Sequence, residues 1–176
     1  MRPQRLVDLL ALVALVLLAL SAYLTWSIAD PGSGRAVVNF NGYAVTRAPV
    51  TLALASAVAV IVTKLAGTAL RRVLAGLIVF MGAGAIGVAL QIRPNAAELG
   101  RLRPELSQAV TDSVTLSTGP APWLALAGGV ALLAAGIVAV LTAHRWRRPT
   151  LRYERDPAAT PADQWKAIDA GEDPTI

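Results

Sequence analysis

Two ionisable side chains, Asp8 and Lys64, lie inside long apolar runs of this sequence. Such residues are candidates for ion or substrate transfer in a membrane protein, because burying a charge in lipid costs several kcal/mol. Both lie within about two helical turns of the end of their run, where Asp8 can pair with Arg5 and Lys64 can extend its ammonium group to water. We therefore treat an Asp8–Lys64 pair between helices as a candidate intramembrane polar pair, with helix anchoring as the simpler interpretation.

Residues suited to catalysis or metal binding are scarce. The chain has no Cys, which excludes disulfides, thiolate metal sites and thiol nucleophiles. The lone histidine, His144, cannot form a zinc site by itself, and no His-Glu-x-x-His, serine-elbow or phosphate-loop motif occurs. The glycine-rich segment at 82–87 lies inside an apolar run, where its glycines favour helix packing. We expect a protein without catalytic residues, cofactor or metal.

Four apolar runs form the framework in which the polar pair lies. Of the 176 residues, 55% are hydrophobic and 15% are charged, a balance typical of membrane proteins. A helix needs about 20 apolar residues to cross a bilayer, and four runs qualify: 6–26, 48–65, 73–92 and 123–143. The sequence predicts an all-α, four-transmembrane-helix bundle over residues 1–143. Outer loops are expected at 27–47 and 93–122, and a cytosolic tail at 144–176.

The first run has a second interpretation. Arg2 and Arg5 before an apolar stretch also describe a secretory signal peptide. The stretch is long, ends in Tyr23 and Trp26 as an interfacial aromatic belt would, and lacks a convincing small-residue cleavage site. We expect an uncleaved span.

Positive charge sets the expected orientation, since cytoplasmic loops are enriched in Lys and Arg. Eleven such residues fall on the side of both termini and five on the other. We expect a multi-pass protein of the inner (cytoplasmic) membrane with both termini in the cytoplasm. The net charge of +5 is concentrated beside the apolar runs, which favours this topology over nucleic-acid binding. Arg145, Arg147 and Arg148, just after the fourth run, are candidates for contact with anionic lipid.

Rows of small residues indicate how the helices pack, because small side chains let backbones approach closely in lipid. These rows lie in the fourth run at Ala127, Ala131, Ala135 and Ala139, and at Ala121, Ala125 and Gly129, and in the third run at Gly76, Gly82, Gly84 and Gly87. We expect them to pack the four helices of one bundle. A homo-oligomer seam is the alternative.

Both outer loops carry signals of ordered structure. Asn41-Gly42 separates two short β-prone segments, a pattern typical of a two-residue hairpin turn. The second loop has helical spacing followed by a β-prone segment, at Glu98, Arg101 and Glu105 and then at 114–118. We expect ordered connectors that form a small outer cap, with a ligand site as the alternative.

The tail is polar and has the punctuation of a short helix. Thr160 fits an N-cap before Pro161 at the first helical position, while Gly171 and Pro174 fit a C-terminal stop. The implied cytosolic helix spans about 161–170. A helix of this length is not stable alone in water, so we expect it to dock onto the bundle, the membrane surface or a partner.

One apolar face of this helix combines Trp165 and Ile168, three residues apart. We take these two side chains and the acidic end of the tail as the candidate partner-binding residues: Trp165, Ile168, Asp169, Gly171, Glu172, Asp173 and Pro174.

Several segments together resemble the tryptophan-associated membrane protein family of actinobacteria. They are NGYAVTRAP before the second run, PWLALAGG at the start of the fourth, RYE after the basic cluster, and WKAIDAGEDPT in the tail. The resemblance covers essentially the whole chain. It implies a gene beside those of tryptophan biosynthesis and implies no reaction. Carried over, the family's signature positions are Gly42, Pro49, Trp123, Arg152, Tyr153, Glu154, Trp165, Asp169, Gly171, Glu172, Asp173, Pro174 and Thr175.

The leading hypothesis is a non-enzymatic accessory protein, linked to tryptophan biosynthesis, whose tail binds a cytosolic or membrane protein partner. The alternative is a small transporter or transport subunit for an aromatic amino acid or a precursor, in which Asp8 and Lys64 would take part. A third hypothesis, an outer-face sensor or assembly factor, depends on order in the first outer loop.

Overall fold

The computed structural model describes residues 3–32, 36–103, 114–143, 146 and 169. The chain divides into two units, Met1–Trp146 and Arg147–Ile176, and the fold below is that of the first. The predicted helix at 161–170 lies outside the described residues except for Asp169, which is helical and exposed.

Four long helices form the first unit, and all four are long and apolar enough to cross a membrane. The helices are α1 (Pro3–Tyr23), α2 (Gly42–Val45), α3 (Ala48–Leu65), α4 (Thr68–Gln91), α5 (Ala96–Leu102) and α6 (Ala121–Thr142), of which α2 and α5 are short. The strands are β1 (Thr25–Asp30), β2 (Val38–Asn41) and β3 (Thr115–Thr118). The four spans and the small sheet confirm the predicted fold class.

A two-residue link joins α3 to α4. Ala66 and Gly67 are both extended, and α4 begins at Thr68, five residues before the predicted run at 73–92. Arg71 and Arg72 interrupt the apolar pattern, which made this stretch resemble a loop. Both arginines instead lie in the first turns of α4, where Arg71 is buried and Arg72 is exposed.

The bundle closes with α6 packed along α1 and α4, and α3 packed along α1 and α4 on the other side. Glycines bring α4 and α6 to backbone contact. A Cβ on Gly82 would lie 2.5 Å from the Leu133 nitrogen, and one on Gly136 would lie 2.8 Å from the Val79 nitrogen. Such close approach is how helices associate in lipid, where no hydrophobic force draws them together.

The predicted small-residue rows divide between this interface and the outside of the bundle. Ala121, Ala125, Ala135 and Ala139 are buried and Ala127 is exposed. Among the four glycines of α4, only Gly82 contacts a neighbouring helix. A Cβ placed on Gly76, Gly84 or Gly87 would have no described atom of another helix within 4 Å.

The three strands form one antiparallel sheet in the order β2-β1-β3. The strand β1 pairs with β2 as a hairpin in the first loop and with β3 from the second loop, and the register slips between Thr25 and Ser27. The sheet therefore ties the two predicted outer loops to each other. We call this end of the bundle the sheet end, and the opposite end, where α1 begins and α6 finishes, the tail end.

The predicted hairpin turn at Asn41-Gly42 is wrong, because the hairpin turns between β1 and β2 instead. Asn41 is the N-cap of α2, and its side-chain oxygen accepts a hydrogen bond of 2.9 Å from the Ala44 nitrogen. Gly42 allows close approach of the chain, since a Cβ there would overlap the Ser21 carbonyl oxygen. The pair thus starts a helix against the end of α1.

A capping box starts α5. The Asn95 side chain accepts from the Glu98 nitrogen at 2.8 Å, and the Glu98 carboxylate accepts from the Asn95 nitrogen at 3.1 Å. The helix buries Leu99 against Ala29 and Phe40 of the sheet. Glu105, predicted on the same helix, lies outside the described residues.

Candidate functional site

The two ionisable residues predicted as a pair lie together at the tail end. Lys64 Nζ, near the end of α3, is 3.1 Å from Asp8 Oδ1 on α1. Their side chains are 47% and 37% exposed, so the pair lies on the outer surface of the bundle and not on a path through its interior.

Arg71 is the buried charge of the described chain, at 2% exposure. Its guanidinium donates from Nε to the Thr63 carbonyl oxygen at 3.1 Å and from Nη2 to the Ala66 carbonyl oxygen at 3.0 Å. The last carbonyls of a helix lack partners within it and carry partial negative charge. A planar cation with several donors satisfies both at the C-terminal end of α3.

The same guanidinium joins α6 to this end. Its Nη1 donates to the Trp146 carbonyl oxygen at 3.5 Å, and Arg71 Cζ lies 5.3 Å from the centre of the Trp146 ring. That distance and the buried setting are those of a cation–π interaction. Trp146 also donates from Nε1 to Thr142 Oγ1 at 3.1 Å. We call Arg71, Thr63, Ala66 and Trp146 the arginine clamp.

Within the described residues no carboxylate pairs with Arg71, so backbone carbonyls and an indole ring hold its charge. From the sequence, Arg71 falls before the third predicted run at 73–92, outside any predicted helix. The available signal was the position of Arg71, eight residues after Thr63 and next to a helix end that needs a positive partner. The clamp thus includes Trp146, the last residue of the first unit and part of the tail predicted at 144–176.

At the sheet end, the prediction that Trp26 belongs to an interfacial aromatic belt is wrong. It lies on β1, after α1 has ended at Tyr23, and is 1% exposed. Its Nε1 donates to the Ile92 carbonyl oxygen at 3.2 Å, just beyond the end of α4. Trp26 is therefore a core residue that joins the sheet to α4, and not an interfacial anchor. Trp123, in the first turn of α6, is 67% exposed, as expected at an interface.

The tail candidates lie outside the described residues, with the exception of Asp169. The same holds for His144 and for Arg145, Arg147 and Arg148. Among the residues that the structure describes, no group of three or more His, Cys, Asp and Glu side chains could hold a metal ion.

Comparison with known proteins identifies the family. A family model described as tryptophan-associated transmembrane protein matches residues 7–175, nearly the whole chain. No curated protein matches it. The family match confirms the resemblance drawn from the sequence segments, and it agrees with the four membrane-spanning helices. This chain belongs to the tryptophan-associated transmembrane protein family.

Proposed function

We propose that this chain is a non-enzymatic accessory protein of the cytoplasmic membrane, linked to tryptophan biosynthesis. It acts by binding a protein partner through its tail. In this proposal both termini face the cytoplasm, so the tail meets proteins at the inner face of the membrane.

One observation carries the proposal: the buried charge of the described bundle holds Trp146, near the start of the tail. Arg71 binds the Trp146 carbonyl oxygen and stacks against its ring, while its other donors bind the end of α3. Burying a cation in this way is costly unless its donors are well satisfied. The satisfied donors of Arg71 support a role in which the position of Trp146, the last residue of the first unit, matters.

The interior of the bundle supports binding over transport. Its buried hydroxyl groups donate to carbonyls of their own helices: Ser21 to Leu18, Ser56 to Leu52 and Ala53, and Thr63 to Ala59. These hydroxyls are thus engaged within the helices and not offered to a substrate. The α4–α6 interface is closed at backbone distance. A transporter needs polar or ionisable groups near mid-membrane.

Co-purification tests the proposal. The full chain, tagged at its N-terminus, should retain a protein partner that a chain truncated after Asp156 loses. That truncation keeps the five arginines between Arg145 and Arg155, so insertion and orientation should remain normal. Recovery of the same proteins with both chains would contradict a partner-binding tail.

A flux measurement tests the transport alternative. We expect purified protein in sealed vesicles to give no uptake of labelled tryptophan above that of empty vesicles. Uptake that falls in Asp8→Asn or Lys64→Gln would instead support the transporter, because those variants break the polar pair and leave the tail unchanged.

A further inference from the structure

A cavity of about 320 Å³ opens at the sheet end. Its walls come from β1, β3, the last residues of α4 with Ile92 to Pro94, and the first turns of α6. Four separate parts of the chain thus meet around one space. Its volume lies at the lower end of the range for small-molecule sites, about 300–1,000 Å³, so it suits a ligand of one or two rings.

Four residues with ring side chains belong to the lining: Trp26, Pro94, Pro122 and Trp123. Trp26 is held in place by its hydrogen bond to Ile92, while the largely exposed Trp123 stands at the open side. Leu116 and Leu126 add apolar surface. The exposed indole of Trp123 favours a planar apolar ligand, since aromatic surfaces pack against each other with little loss of conformational freedom.

One charged residue, Arg93, belongs to the described lining, together with the hydroxyl residues Ser27, Ser117 and Thr118. Within residues 3–32, 36–103 and 114–143, no carboxylate forms an ion pair with Arg93. Because Arg93 lines this largely apolar cavity, its guanidinium is the group suited to a carboxylate, which it can bind through two parallel hydrogen bonds.

We propose that this cavity binds a small aromatic carboxylate, with its ring between the walls near Leu116 and Trp123 and its carboxylate at Arg93. The proposal is independent of the tail, so its failure would leave the proposed partner binding unaffected. It adds a ligand site at the opposite end of the bundle.

Fluorine NMR on the full chain tests the proposal. The protein is labelled with 5-fluorotryptophan, held in nanodiscs of zwitterionic phosphatidylcholine, and titrated with naphthalene-2-carboxylate. The neutral probe naphthalene-2-methanol measures the contribution of the ring alone. We expect a saturable shift of the Trp123 resonance with the carboxylate and weaker binding of the alcohol.

Three variants locate the site. Arg93→Gln should weaken carboxylate binding about tenfold, as loss of a charge-assisted hydrogen bond predicts, and leave alcohol binding unchanged. Arg101→Gln is the matched control, because Arg101 lines a neighbouring cavity together with Arg93 but does not line this one. Ser117→Trp should fill the cavity and abolish binding of both probes.

Three results would overturn the proposal. One is the absence of a saturable shift up to about 5 mM probe, since binding would then be weaker than about 3 kcal/mol. Another is an Arg93→Gln protein that binds the carboxylate as tightly as the unsubstituted protein does. The third is a saturable shift that persists in Ser117→Trp.

Discussion

Arg71 and Trp146 lie 75 residues apart in the chain, and the guanidinium of one is 5.3 Å from the ring centre of the other. The same guanidinium binds carbonyl oxygens of Thr63 and Ala66. One side chain of α4 thus holds the end of α3 and Trp146, which lies shortly after the end of α6 at Thr142. Through this contact the bundle holds Trp146, the last residue of the first unit.

Removing the clamp should destabilise the bundle. Arg71→Met leaves two or three carbonyl oxygens without donors, and we expect the free energy of unfolding to fall by about 2 kcal/mol. Thermal unfolding in detergent should shift down by about 5 °C for a chain of this size. Arg72→Met is the matched control, because Arg72 is the exposed neighbour with the same charge. Equal shifts for both variants would contradict the clamp.

The two partners of the clamp should also be coupled. Trp146→Leu alone should destabilise the fold, and the double variant with Arg71→Met should lose about 1 kcal/mol less stability than the sum of the two single variants. Strict additivity of the two free-energy changes would show that the ring and the guanidinium do not interact.

The glycines of α4 give a second test. Gly82→Ala places a methyl group 2.5 Å from the Leu133 nitrogen, so the helices must separate, at about 1–3 kcal/mol. Gly84→Ala meets no described neighbour and should stabilise α4 by about 0.5–1 kcal/mol through helix propensity. Chemical unfolding of the two variants measures both effects. A loss of stability with Gly84→Ala would place that face in a contact, as a homo-oligomer would require.

Trp26 should behave as a buried residue. Trp26→Phe leaves the Ile92 carbonyl oxygen without its donor and should cost about 1–2 kcal/mol, whereas Trp123→Phe should change stability by less than about 0.5 kcal/mol. Acrylamide should quench the fluorescence of Trp123 and leave that of Trp26 almost unaffected. Comparable quenching of both residues would indicate that Trp26 is exposed at the membrane interface, contrary to its burial here.

The four spans were predictable because bilayer thickness imposes a length and an apolar composition on each helix. The β-prone character of 114–118 and the helical spacing at 98–101 also led to real elements, β3 and α5. In each case the signal is local, so a short window of sequence contains it.

The predictions that were wrong concern residues whose structural partners lie far away in the sequence. Asn41-Gly42 has the composition of a hairpin turn, but whether it turns or caps a helix depends on its contact with Ser21. Trp26 has the composition of an interfacial anchor, but the sheet buries it. The role of Arg71 requires the end of α6 beside the end of α3, which no local pattern contains.

Single-cysteine labelling tests the orientation, and the absence of native Cys makes every introduced thiol a unique reporter. We expect a membrane-impermeant maleimide to label Ala97→Cys, on the exposed side of α5, in intact cells. Lys166→Cys in the tail should react only after permeabilisation, as the excess of Lys and Arg on the tail side predicts. The reverse pattern would place the tail outside.

The central claim, that the tail binds a protein partner, is tested most directly by photo-crosslinking in cells from position 166, beside Trp165. We expect a discrete protein adduct that disappears in Trp165→Ala combined with Asp173→Ala and remains in Gln164→Ala. Membrane insertion should be the same in all three proteins. An adduct of unchanged yield in the double variant, or no protein adduct in any of them, would contradict the account.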